Sequence, residues 1–175
     1  GLGDVYKRQI FHKPSPVGML TLSSDGTALT GLWLDGQKYF GAGLPNAVKE
    51  NDLPVFEQAS AWLDAYFAKA PLPALPPLAP QGSPFRQAVW RLLLEIPYGT
   101  VTTYGALART LRGQGISAAA QAVGGAVGHN PISILIPCHR VVGSDGSLTG
   151  YAGGVANKQF LLELEGVDMT GLYVP

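Results

Sequence analysis

The run ILIPCHRVV, residues 134–142, holds the only cysteine of the 175-residue chain and sets Cys138 directly before His139 and Arg140. The thiolate is the nucleophilic and metal-binding form of cysteine, and neighbouring basic groups favour it over a thiol of pKa about 8.5. Three chemistries are open to such a residue: a buried inert hydrophobe, a metal ligand or a nucleophile. His12, His129, His139 and Cys138 do not fall at zinc-ligand spacings, so no metal and no cofactor is expected. Pro137 ends the apolar run just before the thiol, which places Cys138 where a strand leaves the core and argues against the inert reading. A carboxylate to orient the imidazole is available at Glu163 or Glu165. Adjacent residues on a strand point to opposite faces, so Cys138 and His139 need a turn or a bridging water to communicate.

The elements that must position this run are legible in outline. VGMLTLSSDGTALTGLWL, residues 17–34, alternates apolar residues around Asp25-Gly26 and reads as a β-hairpin. Val55, Phe56, Ala59, Trp62, Leu63, Tyr66 and Phe67 then share one helical stripe. Proline crowds the stretch from Pro71 to Pro84, which cannot continue a helix and reads as an extended linker. A domain boundary is expected near Gln81-Gly82, dividing the chain into residues 1–81 and 82–175. Beyond it, Ser83 and Pro84 open a helix with Phe85, Val89, Leu92, Leu93 and Ile96 facing inward. Thr102 or Thr103 caps a second helix that ends at Gly113, and Ser117 opens a third, SAAAQAVGGAVG. These helices, followed by a short strand and hairpin, resemble a winged helix-turn-helix. The third helix is almost all Ala, Gly and Val, a poor core helix but one that lets a backbone approach another surface closely. That surface is either a nucleic-acid groove or a tightly packed neighbouring helix.

Composition bounds the function. Hydrophobic residues are 46% and charged residues 14%, as in a folded globular chain rather than a disordered one. One cysteine permits no intrachain disulfide and favours a reducing compartment. No apolar run approaches the roughly 20 residues of a membrane span, and the opening GLGDVYKRQ has no apolar core, so neither a membrane anchor nor a signal peptide is expected. That opening, residues 1–9, reads as a cloning or read-assembly scar. Net charge is zero, yet residues 82–154 carry Arg86, Arg91, Arg109, Arg112 and Arg140 against only Glu95 and Asp145, a balance compatible with a polyanion. GQGISA follows a helix rather than a strand, so it has no βαβ unit in which to hold a dinucleotide.

PCHRVVG, preceded by AVGGAVGHNPISILI and followed by TGYAGG and LLELEG, strongly resembles the O6-alkylguanine-DNA alkyltransferases. The match is dense from about Ser83 to Val167, with SPFRQAVW and YGTVTTYGALA inside it. The resemblance implies an α/β protein: a small amino-terminal ribonuclease H-like α/β domain followed by a winged helix-turn-helix-like alkyltransferase domain. It implies a cytoplasmic monomer that binds double-stranded DNA in the minor groove, flips out O6-alkylguanine (or O4-alkylthymine) and moves the alkyl group irreversibly to its own cysteine. Cys138 would be the acceptor, with His139 acting as base through a water, Glu165 orienting the imidazole and Asn130 bracing the turn before the nucleophile. Tyr104, Gln121, Ala122, Gly124 and Arg140 would serve substrate and DNA binding, and Tyr151, Ala152 and Gly153 would cover the flipped base. Gln121 departs from the pattern, because the family usually places there an arginine that fills the space left by the base.

Overall fold

The computed structural model describes residues 8–44 and 48–175, and the chain forms two compact units, Gly1–Gln81 and Gly82–Pro175. Of the segment read as a scar, residues 1–7 lie outside the described residues. Its last residue, Gln9, opens strand β1 (Gln9–Lys13) and pairs with Ser24.

In the first unit β2 (Leu20–Ser24) and β3 (Leu29–Leu34) form the expected hairpin. Its turn is held by Asp25, whose Oδ1 accepts from the backbone N–H of Thr27 and Ala28, both at 3.0 Å. With β4 (Lys49–Glu50) the sheet runs β3-β2-β1-β4, antiparallel except for the β1–β4 pair. Every residue of β2 and β3 is buried, the polar ones of the alternating pattern included. The polar members of that pattern are satisfied inside: Ser23 and Thr30 share a hydrogen bond of 2.8 Å between their hydroxyls. Helix α1 (Pro54–Phe67) buries six of the seven predicted stripe residues and leaves Phe67 half-buried. Phe56 stacks on Phe11 of β1 at 5.5 Å, and Lys13 meets Asp64 at 2.8 Å. The proline-rich stretch is extended, but its end is fastened: Leu29 donates to Pro77 O and Ala79 donates to Leu29 O, so it borders the sheet at β3.

In the second unit Ser83 caps α2 (Pro84–Leu93) by accepting from Arg86 N, with Pro84 in the first turn. Trp90, absent from the expected inward list, is 2% exposed and donates its indole N–H to Ala126 O at 2.8 Å. Thr103, rather than Thr102, caps α3 (Tyr104–Gly113) through Ala106 N. The positive φ of +80° that ends this helix falls on Gly115, two residues past the predicted stop. Ser117 does not cap the next helix. Helix α4 (Ala120–Gly128) starts after Ala119 and has no side-chain cap. A two-residue parallel pair, β5 (Thr102–Thr103) with β6 (Val141–Val142), and helix α5 (Val155–Leu164) complete the unit. Val142, Leu148, Leu162 and Val167 form a buried cluster beneath β6 and α5.

The expected strand before the thiol does not form. Residues 131–136 turn back on themselves, with Ile134 at φ +71°, and Cys138–Arg140 make one 3-10 turn. A β-branched residue in the left-handed region is costly, about 1–3 kcal/mol, and persists only where its surroundings hold it. Here the holder is Asn130. Its Nδ2 donates to Ile136 O at 2.8 Å while its Oδ1 accepts from Ile132 N at 3.0 Å, closing the loop across its neck.

Candidate active site

In place of the expected strand, one 3-10 turn carries Cys138, His139 and Arg140, and all three side chains are buried. Helix α5 supplies the opposing wall. Lys158, Leu161, Leu162 and Glu165 are spaced i, i+3, i+4 and i+7, so one helical face carries two apolar and two ionisable residues inward.

Glu165 organises the polar part. Its Oε2 accepts from His139 Nε2 at 2.6 Å, its Oε1 from Arg140 Nε at 2.8 Å, and Arg140 Nη2 reaches Oε2 at 3.2 Å. The backbone N–H of Gly99 adds a fourth donor at 3.1 Å. Of the two candidate carboxylates, Glu163 is exposed and accepts from Gln159 instead. An ionised carboxylate only accepts, so His139 carries its hydrogen on Nε2 and, when neutral, keeps its lone pair on Nδ1. Burial holds the His139 pKa below the usual 6.5, with Arg140 and Lys158 pushing the same way and Glu165 opposing. The imidazole is therefore a neutral base at pH 7.

Arg140 is placed differently from the DNA-contacting role expected of it. Its guanidinium is buried, donates to Ile96 O at 2.8 Å as well as to Glu165, and lies over the Tyr98 ring. Fork-like pairing with a carboxylate suits arginine and fixes Glu165 in orientation.

Cys138 is 4% exposed. Burial raises its pKa, and Asn130, the Lys158 ammonium and the backbone N–H of Cys138 itself partly offset this. Tyr151 closes one side, its ring edge-on to His139 at 6.4 Å, and its hydroxyl is held well above the usual 10 by burial and by Cys138. Ala152 and Gly153 follow, half-buried, with Gly153 O accepting from Asn157. Tyr104, at the first turn of α3, donates to Thr149 O at 3.1 Å, and burial pushes its pKa up to about 12. Gly150, at φ +82°, passes so close that a Cβ there would lie 2.8 Å from the Tyr104 hydroxyl. Gln121 and Ala122 stand exposed on the first turns of α4, while Gly124 is half-buried with Tyr104 nearby. A Cβ at Gly125 or Gly128 would touch nothing, so tight packing within the chain does not account for these small residues.

The residue that reading the sequence missed is Lys158. It is fully buried and donates through Nζ to Val141 O and, at 2.9 Å, to Thr149 O. The available signal was its place on the same helical face as Leu161, Leu162 and Glu165, where a lone lysine interrupts an apolar stripe. Among the described residues no group of three or more His, Cys, Asp or Glu could hold a metal ion, and no helix is long and apolar enough to cross a membrane.

Two family models cover this arrangement. Residues 84–167 match the DNA binding domain of 6-O-methylguanine DNA methyltransferase, and residues 7–80 match its ribonuclease-like domain. A methylated-DNA–protein-cysteine methyltransferase of Haemophilus influenzae is 45% identical over 153 residues, covering 87% of this chain and 83% of the relative. The chain belongs to the 6-O-methylguanine DNA methyltransferase family. A methylated-DNA–protein-cysteine methyltransferase of Methanosarcina acetivorans is 43% identical across 87% of this chain and 94% of its own. Among solved structures, Mycobacterium tuberculosis OGT in complex with DNA superposes with a TM-score of 0.79 at 42% identity, covering 90% of this chain and 92% of that one. The O6-methylguanine-DNA methyltransferase of Pyrococcus kodakaraensis gives 0.59 at 26% identity, over 91% and 99%. The family's mixed α/β architecture, with its ribonuclease-like amino-terminal part, is thus present in full.

Proposed function

We propose that this methyltransferase repairs alkylated DNA directly, by moving the alkyl group from O6 of guanine to Sγ of Cys138. The observation that carries this reading is the buried His139–Glu165 pair beside the chain's sole thiol. The Cys138 proton passes through a water to His139 Nδ1, and the sulfur attacks the alkyl carbon. The S–C bond forms as the C–O6 bond breaks, and the electron pair leaves with the guanine, to which the Tyr104 hydroxyl donates a hydrogen bond. Glu165, held by Arg140 and Gly99, fixes the imidazole and stabilises its charged form. The product is a thioether with no route back, so each chain acts once.

A thiol 4% exposed cannot reach a base inside a stacked duplex, so the target must be flipped out. Helices α3 and α4 form the helix-turn-helix of a DNA-binding and catalytic domain, residues 82–175. Their outer face, with Gln121, Ala122 and Gly124, enters the minor groove, and Gln121 occupies the vacated space. Tyr151, Ala152 and Gly153 line the base pocket, while Asn130 braces the loop before the thiol. The M. tuberculosis relative solved with DNA supports this use of the fold. Arg140 has no part in DNA contact on this reading. The protein acts as a monomer, on O6-alkylguanine and O4-alkylthymine, in a cytoplasm that keeps the thiol reduced.

Intact-mass measurement after incubation with a duplex holding one O6-methylguanine tests the proposal. Wild type gains one methyl group per chain and Cys138→Ser gains none. Product formed in excess of protein would mean a turning-over hydrolase, and methyl transfer to the serine variant would remove Cys138 from its role.

A further inference from the structure

Beyond α5 the chain returns to the loop that joins β6 to Tyr151, and the reaction above makes no use of this contact. Tyr173 pairs with that loop as a strand would: its N–H donates to Gly146 O at 3.0 Å, and its carbonyl accepts from Leu148 N at 2.9 Å. Its hydroxyl donates to Asp145 Oδ2 at 2.6 Å, while Asp145 Oδ1 accepts from Ser147 N at 3.0 Å, so one carboxylate joins the two segments. Met169 and Leu172 pack against the buried cluster of Val142, Leu148, Leu162 and Val167. Gly146, at φ +90°, permits the approach, since a Cβ there would collide with the Gly171 carbonyl. Tyr173 itself is 46% exposed, so burial of its ring does not account for this set of bonds.

We infer that Tyr173 is a positioning residue for substrate binding: with Met169 and Leu172 it clasps residues 145–148 and so fixes the entry to Thr149–Gly153, the stretch that receives the flipped base. This rests on the proposed place of Tyr151, Ala152 and Gly153 over that base. Leu148, bonded to Tyr173, is followed directly by Thr149, whose carbonyl accepts from Tyr104 at 3.1 Å and from Lys158 at 2.9 Å. At the far end Tyr151 O accepts from Gly154 N, and Gly153 O from Asn157. The stretch is thus held from α3 and α5, and the clasp secures the side that faces neither helix. A loop ordered only part of the time binds with an affinity reduced by that fraction, so loss of the clasp weakens binding. Once the base is seated the loop is ordered, and Glu165 still takes its bonds from His139, Arg140 and Gly99, so the chemical step keeps its rate.

The test follows transfer from free O6-benzylguanine at increasing concentration, in wild type, Tyr173→Phe and Tyr173→Ala. Tyr173→Phe removes the bond to Asp145 alone, and Tyr173→Ala removes the ring as well. Amide hydrogen exchange reports whether Leu148 N–H has lost protection while α5 keeps its own. The half-saturating concentration should rise about two- to tenfold in Tyr173→Phe, the worth of one net hydrogen bond, and further in Tyr173→Ala. The maximal rate should stay at the wild-type value in both. A half-saturating concentration unchanged in a folded Tyr173→Ala overturns the inference and leaves Tyr173 a fastener of the fold. A lower maximal rate at unchanged half-saturation overturns it too. Should the alanine variant fail to fold, Tyr173→Phe decides by the same two criteria. Wild type that takes up no benzyl group would instead sink the proposed function.

Discussion

Glu165 receives four donors, from His139, Arg140 and Gly99, and this makes it an anchor rather than a proton store. Replacing it by Gln should slow transfer by about 10²–10⁴-fold, the usual contribution of a positioned acid–base partner. The same change leaves the Arg140 cation buried and uncompensated, so the melting temperature should fall as well. A wild-type rate in a folded Glu165→Gln would return Glu165 to a purely structural part. The pH dependence has a definite sign. His139 is held below 6.5 when folded, whereas the unfolded chain takes up that proton at 6.5. Its contribution to stability is therefore complete above pH 6.5 and is lost as pH falls through the folded value. Because Glu165 is the group that raises the imidazole pKa, the acid limb of the Glu165→Gln rate profile should move to lower pH. An acid limb that stays in place would mean that another group sets it. At this scale the thiol and the imidazole were legible as adjacent residue types, and the carboxylate as one of two, Glu163 or Glu165, between which only the family resemblance chose. Arg140 and Lys158 were not: a charge count treats every arginine and lysine as solvated, and only the fold shows that these two are interior.

Among the elements, the hairpin, α1 and α2 followed from turn residues, stripes and caps that act over a few positions. The segment 131–137 did not, because its β-branched composition favours a strand while tertiary bonds impose a turn. Asn130 satisfies Ile132 N and shares Ile136 O with the backbone N–H of Cys138 across the neck of that loop. Asn130→Ala would leave the buried Ile132 N–H without its partner, at roughly 1–3 kcal/mol, take one of two donors from Ile136 O, and release the left-handed Ile134. We expect a clearly lower melting temperature together with a slower reaction on a free base, since the thiol then loses its fixed place. Unchanged transfer in a destabilised but folded variant would separate the loop's bracing from the chemistry. The oddness of α4 was also legible, though its explanation needed the structure, which leaves room at Gly125 and Gly128 for the side chains they lack.

Over the whole molecule, a formal net charge of zero conceals the arginine excess of residues 82–154. Arg86, Arg91, Arg109 and Arg112 remain as cations for an exterior polyanion once Arg140 is taken inside with Glu165. With so modest a field, one further charge at α4, the helix proposed to face DNA, should be measurable. Gln121→Arg should tighten duplex binding and steepen its salt dependence by up to about one counterion. Gln121→Ala should slow repair of duplex DNA while leaving reaction with a free base nearly unchanged, because only the duplex has a gap to fill. Equal rates on duplex for wild type and the alanine variant would show that some other residue fills it. The two family models match residues 7–80 and 84–167. The proline-rich segment that precedes the second part was legible as extended, but its pairing with Leu29 was not, since proline gives no sign of which carbonyls it leaves to a sheet.

The burial of Cys138 has a consequence for the life of the protein before it meets any lesion. A reagent that can be used once must not be spent in storage, and a cell offers oxidants and small electrophiles continuously. These attack the thiolate form at exposed sites. Keeping the sulfur 4% exposed shields it from anything small and untargeted. Its single dose is conserved until a flipped base is seated against it, so the same enclosure that obliges the DNA to open also gives the protein its shelf life.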